Sequence, residues 1–199
     1  MNAQGQQIFN KYTVTRDSAG RELTRSLSGT TTTPGGHDFT ILGNANPTFS
    51  LGLRSNANIG KFDMSFLIHT EHGQKVLNET ALVYATKGNA LQSKNFLAIA
   101  LNDGVAITDP SVYSSRWIED GSFTRLQNIT LGYTFDIPRI AGGLKNTRVY
   151  VSGDNLLLIT GYTGYDPEVF SDAGLASRGI DYLHYPRSRT FTGGVRVAF

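Results

Sequence analysis

A two-residue alternation of apolar and polar side chains, recurring in five separate segments, constrains this chain more than any other feature. Phe49, Leu51 and Leu53 alternate with Ser50, Gly52 and Arg54, and Phe62, Met64, Phe66 and Ile68 with Asp63, Ser65, Leu67 and His69. Ile129, Leu131, Tyr133 and Phe135 oppose Asn128, Thr130, Gly132 and Thr134, while Val149 and Val151 oppose Arg148, Tyr150 and Ser152. The last run sets Phe191, Gly193, Val195, Val197 and Phe199 against Thr192, Gly194, Arg196 and Ala198. Period two sends successive side chains to opposite faces of an extended strand. The pattern therefore predicts an all-β fold with strands near residues 48–56, 61–71, 122–135, 146–156 and 189–199, each with one apolar face.

Alternation suits a soluble sheet packed on a core as well as a sheet facing lipid, because both bury one face only. The connections separate the two. A short turn, residues 57–60, joins the first two strands, and a modest segment, 136–146 with Pro138 and Gly142–Gly143, joins the third and fourth. The other two connections, residues 72–121 and 160–187, are long. Long unstructured loops argue against a compact soluble domain, whereas membrane barrels carry short turns on one side and long loops outside. The expected architecture is an antiparallel up-and-down meander, with residues 1–47 and the two long connections as external loops. The turn-forming DSAG at Asp17 to Gly20 and the Thr-, Pro- and Gly-rich stretch from Thr30 to Gly36 suit such a loop.

Composition narrows the function classes. Charged residues make up 17% of the chain, below the roughly 25% of ordinary soluble domains, and 22 glycines are present. The 18 basic and 16 acidic residues are scattered, with no block of Lys or Arg to track a phosphate backbone, so nucleic acid is not an expected partner. The chain has no Cys, which excludes disulfides and thiolate metal sites. The longest apolar runs, Phe96 to Leu101 and Leu156 to Ile159, fall far short of the ~20 residues of a spanning helix. Any membrane crossing must use strands. Residues 1–20 hold no basic segment followed by an apolar core, so no secretory leader is expected there.

Gly194, Val197 and Phe199 match the Gly-x-x-apolar-x-aromatic ending of outer-membrane proteins, in which the last strand is read by the barrel assembly machinery through its free edge. Gly193 departs from that ending, where a polar residue is more usual. Five further segments then occur in one order: GNANPTFSLGLRSN from Gly43, GSFTRLQNITLGYTF from Gly121, LKNTRVYVSGDNLLLIT from Leu144, GYDPEV from Gly164 and YPRSRTFTGGVRVAF from Tyr185. Together they resemble the end of the SusC/RagA family of TonB-dependent outer-membrane transporters of the Bacteroidetes.

The resemblance implies a place in the cell outer membrane, in a barrel of about 22 strands of which residues 1–199 would form roughly the last quarter. The family's plug domain and TonB-contacting segment are not expected within this chain, which alone should transport nothing. The complete transporter would take up oligosaccharides or peptides, with a SusD-like lipoprotein over its external loops and energy relayed through TonB. The competing readings are a soluble carbohydrate-binding β-domain and another outer-membrane barrel, such as a porin or an adhesin translocator.

No enzyme is expected. The Gly-x-Ser-x-Gly elbow, the phosphate-binding loop and the dinucleotide fingerprint are all absent. In a strand His69 and His72 point to opposite faces, so His-Thr-Glu-His is not expected to hold a metal. Asp166 and Glu168 would serve as paired glycosidase carboxylates only if a loop held them at a defined separation; external polar residues are the plainer reading. No cofactor is implied. Tyr113, Trp117, Tyr162 and Tyr165 fall in the long connections, where aromatic faces can stack on a sugar, although loop packing or contact with the lid protein is the plainer reading.

The strand parity assigns faces. Phe49, Leu51, Leu53, Phe62, Met64, Phe66, Ile129, Leu131, Val149, Val151, Val195 and Val197 should meet lipid. Asn128, Thr130, Arg148, Tyr150, Thr192 and Arg196 should line the concave, inner side.

Overall fold

The structure, a computed structural model, describes residues 1–136, 146–169 and 178–198. Among the described residues the strands are, in chain order, β1 (Phe9–Arg16), β2 (Glu22–Thr31), β3 (Phe49–Ile59), β4 (Phe62–His72), β5 (Lys75–Asn78), β6 (Ile118–Asp120), β7 (Phe123–Asp136), β8 (Asn146–Thr160), β9 (Ile180–Asp181) and β10 (Thr190–Ala198), with one short α-helix, α1 (Glu79–Tyr84). No described helix is long and apolar enough to cross a membrane, which leaves strands untouched as a means of crossing. The chain divides into two units, residues 1–43 with 78–118, and residues 44–77 with 119–199.

The first unit holds a hairpin where the sequence suggested only loop: β1 and β2 pair antiparallel, with register shifts after Lys11 and Thr15. Its turn is the DSAG segment. Asp17 Oδ1 accepts from the amides of Ala19 and Arg21 at 2.9 and 2.8 Å, and Gly20 supplies a φ of +79° that a β-branched residue would resist. Downstream, Asn78 caps α1 by accepting from the Ala81 amide at 2.8 Å. The helix is followed by short 3₁₀ turns, so the long connection after β4 is folded rather than featureless.

The second unit contains the five expected long strands. They form one sheet in the order β10-β8-β7-β4-β3, every pairing antiparallel. This is the expected meander. Between Ile59 and Phe62, a directly opposed pair, the chain turns in two residues. Gly60 comes first with φ +62°, as a tight hairpin matched to strand twist requires. Strands of 11, 11, 14, 15 and 9 residues meet or exceed the ~9–11 residues with which a tilted strand crosses a bilayer.

Register decides the faces. Directly opposed residues share a face, so the pairs Met64↔Leu131, Leu131↔Val151, Tyr133↔Val149 and Val149↔Val195 run one apolar row across four strands. Among the described residues no second sheet covers it: Phe62 and Val195 are each 64% exposed, and Phe49, Leu51, Leu53, Leu131 and Val151 are also exposed. Phe66 and Ile129 are half-buried on the same face. A soluble sandwich would bury these side chains between layers, so the sheet has the one-sided exposure of a wall. Phe62, Tyr133 and Phe135 meet edge to face, each successive pair 4.6 Å apart, at the tight-turn end of that row.

Straight alternation fails at one place. Gln127 of β7 is an extra residue: Leu67 pairs with Asn128 but Ile68 with Leu126. Across the strand, Asn155 and Leu156 of β8 are skipped between Asp154 and Leu157, with Asn155 at φ +53°. Such a bulge re-aims every side chain beyond it. Phe123 and Arg125, whose odd numbers would place them beside Leu131 and lipid, lie instead on the polar face with His69 and Glu71.

Candidate polar-face site

Beside the tight turn, the polar face is tied across three strands. Asp63 of β4 accepts a 2.8 Å bond from Arg148 Nε of β8, and a second, shorter contact joins its other oxygen to the same guanidinium. The bridge passes over Gly132 of β7, where any Cβ would collide with both partners. Arg148 also lies over the Tyr150 ring at 5.0 Å, and Tyr150 in turn covers Gly194 so closely that a Cβ there would strike the phenol. Two glycines thus make room for an Arg–carboxylate pair and an aromatic ring. Asn128 and Asp154, joined at 2.7 Å, continue the row.

Beyond the bulge the polar face becomes buried. Arg125, only 3% exposed, binds Asp166 at 2.6 Å and approaches Glu168 at 3.0 Å. Glu168 also meets Arg187 at 3.0 Å, and Glu71 meets Arg178 at 3.2 Å and His69 at 3.4 Å. Ion pairs in such surroundings hold together because each charge would otherwise lose its hydration uncompensated. The cluster fastens the long connection after β8 onto β4 and β7. A small apolar cluster of Val76, Tyr162 and Val169 seals it, with Phe123 also buried. Tyr162 donates to Asp181 at 2.6 Å; burial, reinforced by that bond, pushes its phenol pKa well above the usual range.

A cavity of about 240 Å3 lies within this unit, bordered by Glu71, Gln74, Glu168 and Arg178 with Ala45 and Pro167. A larger concavity, about 540 Å3, lies among Ile59, Phe62, Met64, Leu131 and Val151. It is bordered mainly by side chains of the apolar face, with Asp63 of the ionised row also on its rim.

The residues singled out in the sequence fall into different settings. Asp166 and Glu168 are both engaged by Arg125, so neither carboxylate stands free for acid–base work. His72 stacks on Phe49 at 5.1 Å, whereas His69 sits across the sheet by Glu71. No group of three potential metal ligands occurs among the described residues. Of the four aromatics, Trp117 and Tyr162 are buried, the indole donating to the Val112 carbonyl at 3.2 Å. Their faces are not presented to a ligand. Tyr113, bonded to Glu79 at 2.5 Å, and Tyr165, 77% exposed, present theirs. Of the terminal signal residues, Gly194 lies under Tyr150 and Val197 is exposed opposite Thr147, while Phe199 lies outside the described residues. Arg125 and Gln74 escaped the sequence reading. Two polar residues, Arg125 and Gln127, in the otherwise apolar odd positions of β7 were the available sign of the first.

Comparison with known proteins places this geometry. No family model matches the chain. It is 33% identical over 174 residues to TonB-dependent receptor P3 of Formosa agariphila, which covers 81% of the chain and 17% of that receptor. It is 34% identical over 160 residues to TonB-dependent receptor SusC of Bacteroides thetaiotaomicron, covering 75% of the chain and 15% of SusC. The chain thus spans less than a fifth of these relatives' length. Its fold is similar to the RagAB peptide importer, with TM-score 0.68 over 98% of the chain in the closed-closed state and 0.69 in the open-open state, at 19% and 20% identity. The named relatives are receptors and importers rather than enzymes.

Proposed function

The chain belongs to the SusC/RagA type of TonB-dependent receptor, and from that premise we propose that its five-stranded meander is a section of the wall of an outer-membrane transport barrel. The apolar face meets lipid. The face of Arg148, Tyr150, Asn128 and Thr130 lines the lumen, and the free edges of β3 and β10 are where neighbouring wall strands pair in the complete barrel. The observation that carries this reading is the register: it assembles an exposed apolar row on one side and cross-strand ion pairs on the other. A soluble sheet has no reason to leave the first uncovered.

The long connections and residues 1–47 then lie outside the cell, under a SusD-like lipoprotein lid. The complete receptor imports oligosaccharides or peptides with energy relayed by TonB, and the residues 1–199 do not transport by themselves. Gly194, Val197 and Phe199 form the signal that the barrel assembly machinery reads. Of the aromatic candidates, Tyr113 and Tyr165 have the exposure that stacking on a substrate needs.

The chain has no Cys, so single-cysteine labelling of the complete receptor, with any cysteine outside these residues replaced, tests the wall directly. A spin label on Leu131→Cys in the lipid-reconstituted receptor should be reached by oxygen dissolved in the bilayer, and one on Thr130→Cys by a water-soluble quencher. Equal access of both labels to the aqueous quencher would overturn the assignment.

A further inference from the structure

Alternation leaves the pairing of β10 open. A slip by one residue would turn its apolar side chains to the polar face, but a slip by two keeps every side chain on its own side. Packing offers little else to hold the strand, since every residue of β10 except the half-buried Gly194 is exposed. The cover over Gly194 is the ring of Tyr150, directly opposed on β8, and a Cβ at position 194 would strike the phenol. At Gly193 a Cβ would meet open space. Neither glycine has a positive φ, so what requires a glycine at 194 is room for the ring and not the backbone conformation.

The ring is itself held in place. Arg148 lies over it at 5.0 Å, and Asp63 of β4 accepts a 2.8 Å bond from Arg148 Nε. A line of contacts thus runs from β4 over Gly132 of β7 to β8 and β10. Thr192, Gly194 and Arg196 of β10 are opposed to Ser152, Tyr150 and Arg148. A slip by two in one direction would set Thr192 against Tyr150, and in the other Arg196. Either brings a Cβ into the space that the ring fills. Charge works the other way, because the observed pairing opposes Arg196 directly to Arg148 and both slips would separate these like charges. The observed register therefore stands against its charges, and the fit of Tyr150 on Gly194 is the contact that favours it.

We infer that Tyr150 is a positioning residue that sets the register of β10 by admitting only Gly194 beneath its ring. The inference rests on the wall reading above, in which the register of β10 fixes the stagger at which its other edge meets the next strand of the barrel. A slip by two would displace that edge by about 7 Å along the strand.

Disulfide trapping in the complete receptor that carries this chain, with its other cysteines replaced, reads the register directly. Val195→Cys is combined in turn with Val149→Cys, its observed partner, with Val151→Cys, which it meets if Arg196 slips under the ring, or with Thr147→Cys, which it meets if Thr192 does. All four positions lie on the face away from the ring, and diagonal neighbours are too far apart to be bridged without a slip. With Tyr150 intact, only the 195–149 bond should form on oxidation. Tyr150→Ala should raise the slipped bonds roughly tenfold or more, while Tyr150→Phe, which keeps the ring, should restore the single bond. A folded Tyr150→Ala receptor that forms only the 195–149 bond overturns the inference. Should Tyr150→Ala yield no folded receptor on a heat-modifiability gel, Gly194→Ala and Gly193→Ala decide: slipped bonds in the first alone support it, and the same bonds in both overturn it. These bonds report strand pairing whatever surrounds the sheet, and the Leu131 label reports lipid, so the two readings fail separately.

Discussion

The two stretches of β7 on either side of Gln127 use the same backbone to opposite ends. From Asn128 to Phe135 the strand alternates strictly, with Leu131 and Phe135 exposed on one face and the Asp63–Arg148 bridge crossing Gly132 on the other. From Phe123 to Leu126 the parity is inverted, and Phe123 and Arg125 are the buried residues. One stretch leaves its apolar side chains uncovered; the other carries protein packed over it. The contrast shows that a wall strand becomes a foundation for a loop by inserting a single residue.

The sharpest way to break that contrast is at Arg125. Arg125→Ala would leave Asp166 buried without a cation, and losing one partner of a buried pair costs about 3–5 kcal/mol. Urea-monitored folding of the complete receptor into vesicles should show a loss of that size. A change below about 1 kcal/mol would mean that the cluster is solvated and that the two stretches do not differ.

Next in size is the lipid row. Leu131→Arg should cost roughly 2–4 kcal/mol in the same titration, and its neighbour Thr130→Arg much less, since a cation is expelled from hydrocarbon but tolerated in a lumen. Equal losses would erase the distinction between the two faces.

A third variant probes the polar row near the tight turn. Gly132→Val would drive a side chain into the Asp63–Arg148 bridge, and overpacking of that kind costs about 1–3 kcal/mol. In the Asp63→Ala, Arg148→Ala background the penalty should shrink, as a double-mutant comparison will register. An undiminished penalty would place the strain in the backbone instead.

The smallest expected effect concerns the packed loop. Tyr162 has a folded-state pKa above its unfolded value of about 10. Its neutral form therefore contributes stability that is complete below about pH 10 and is lost as pH rises past it. Between about pH 8 and pH 11 the urea midpoint should fall further for the wild type than for Tyr162→Phe; the subtraction removes the common effect of the other tyrosines. Identical falls would show that Tyr162 is not sequestered.

Much of the wall was legible beforehand because strand periodicity is local. Phe62 to Ile68 and Ile129 to Phe135 announce their faces through nearest-neighbour alternation alone, and Gly60 announces the tight turn. The five strands and their consecutive pairing followed from period and loop length. The hairpin at Phe9 to Thr31 was missed because both its faces are polar and exposed over most of its length, so no period of apolar residues marks it.

What the sequence by itself determined, then, is the alternation and the order of the strands, since both depend on residues adjacent along the chain. The tertiary structure alone decided where the alternation inverts, which aromatics are buried and which carboxylates are spent on Arg125. Those outcomes depend on partners far apart in sequence: Arg125 meets Asp166 only because Gln127 turns it inward, and Gln74 is orphaned only because Gly121 claims one end of its amide. A bulge carries almost no local signature, yet it moves a charge from the exposed apolar face to the packed polar face, and the free energy of that transfer exceeds any local propensity.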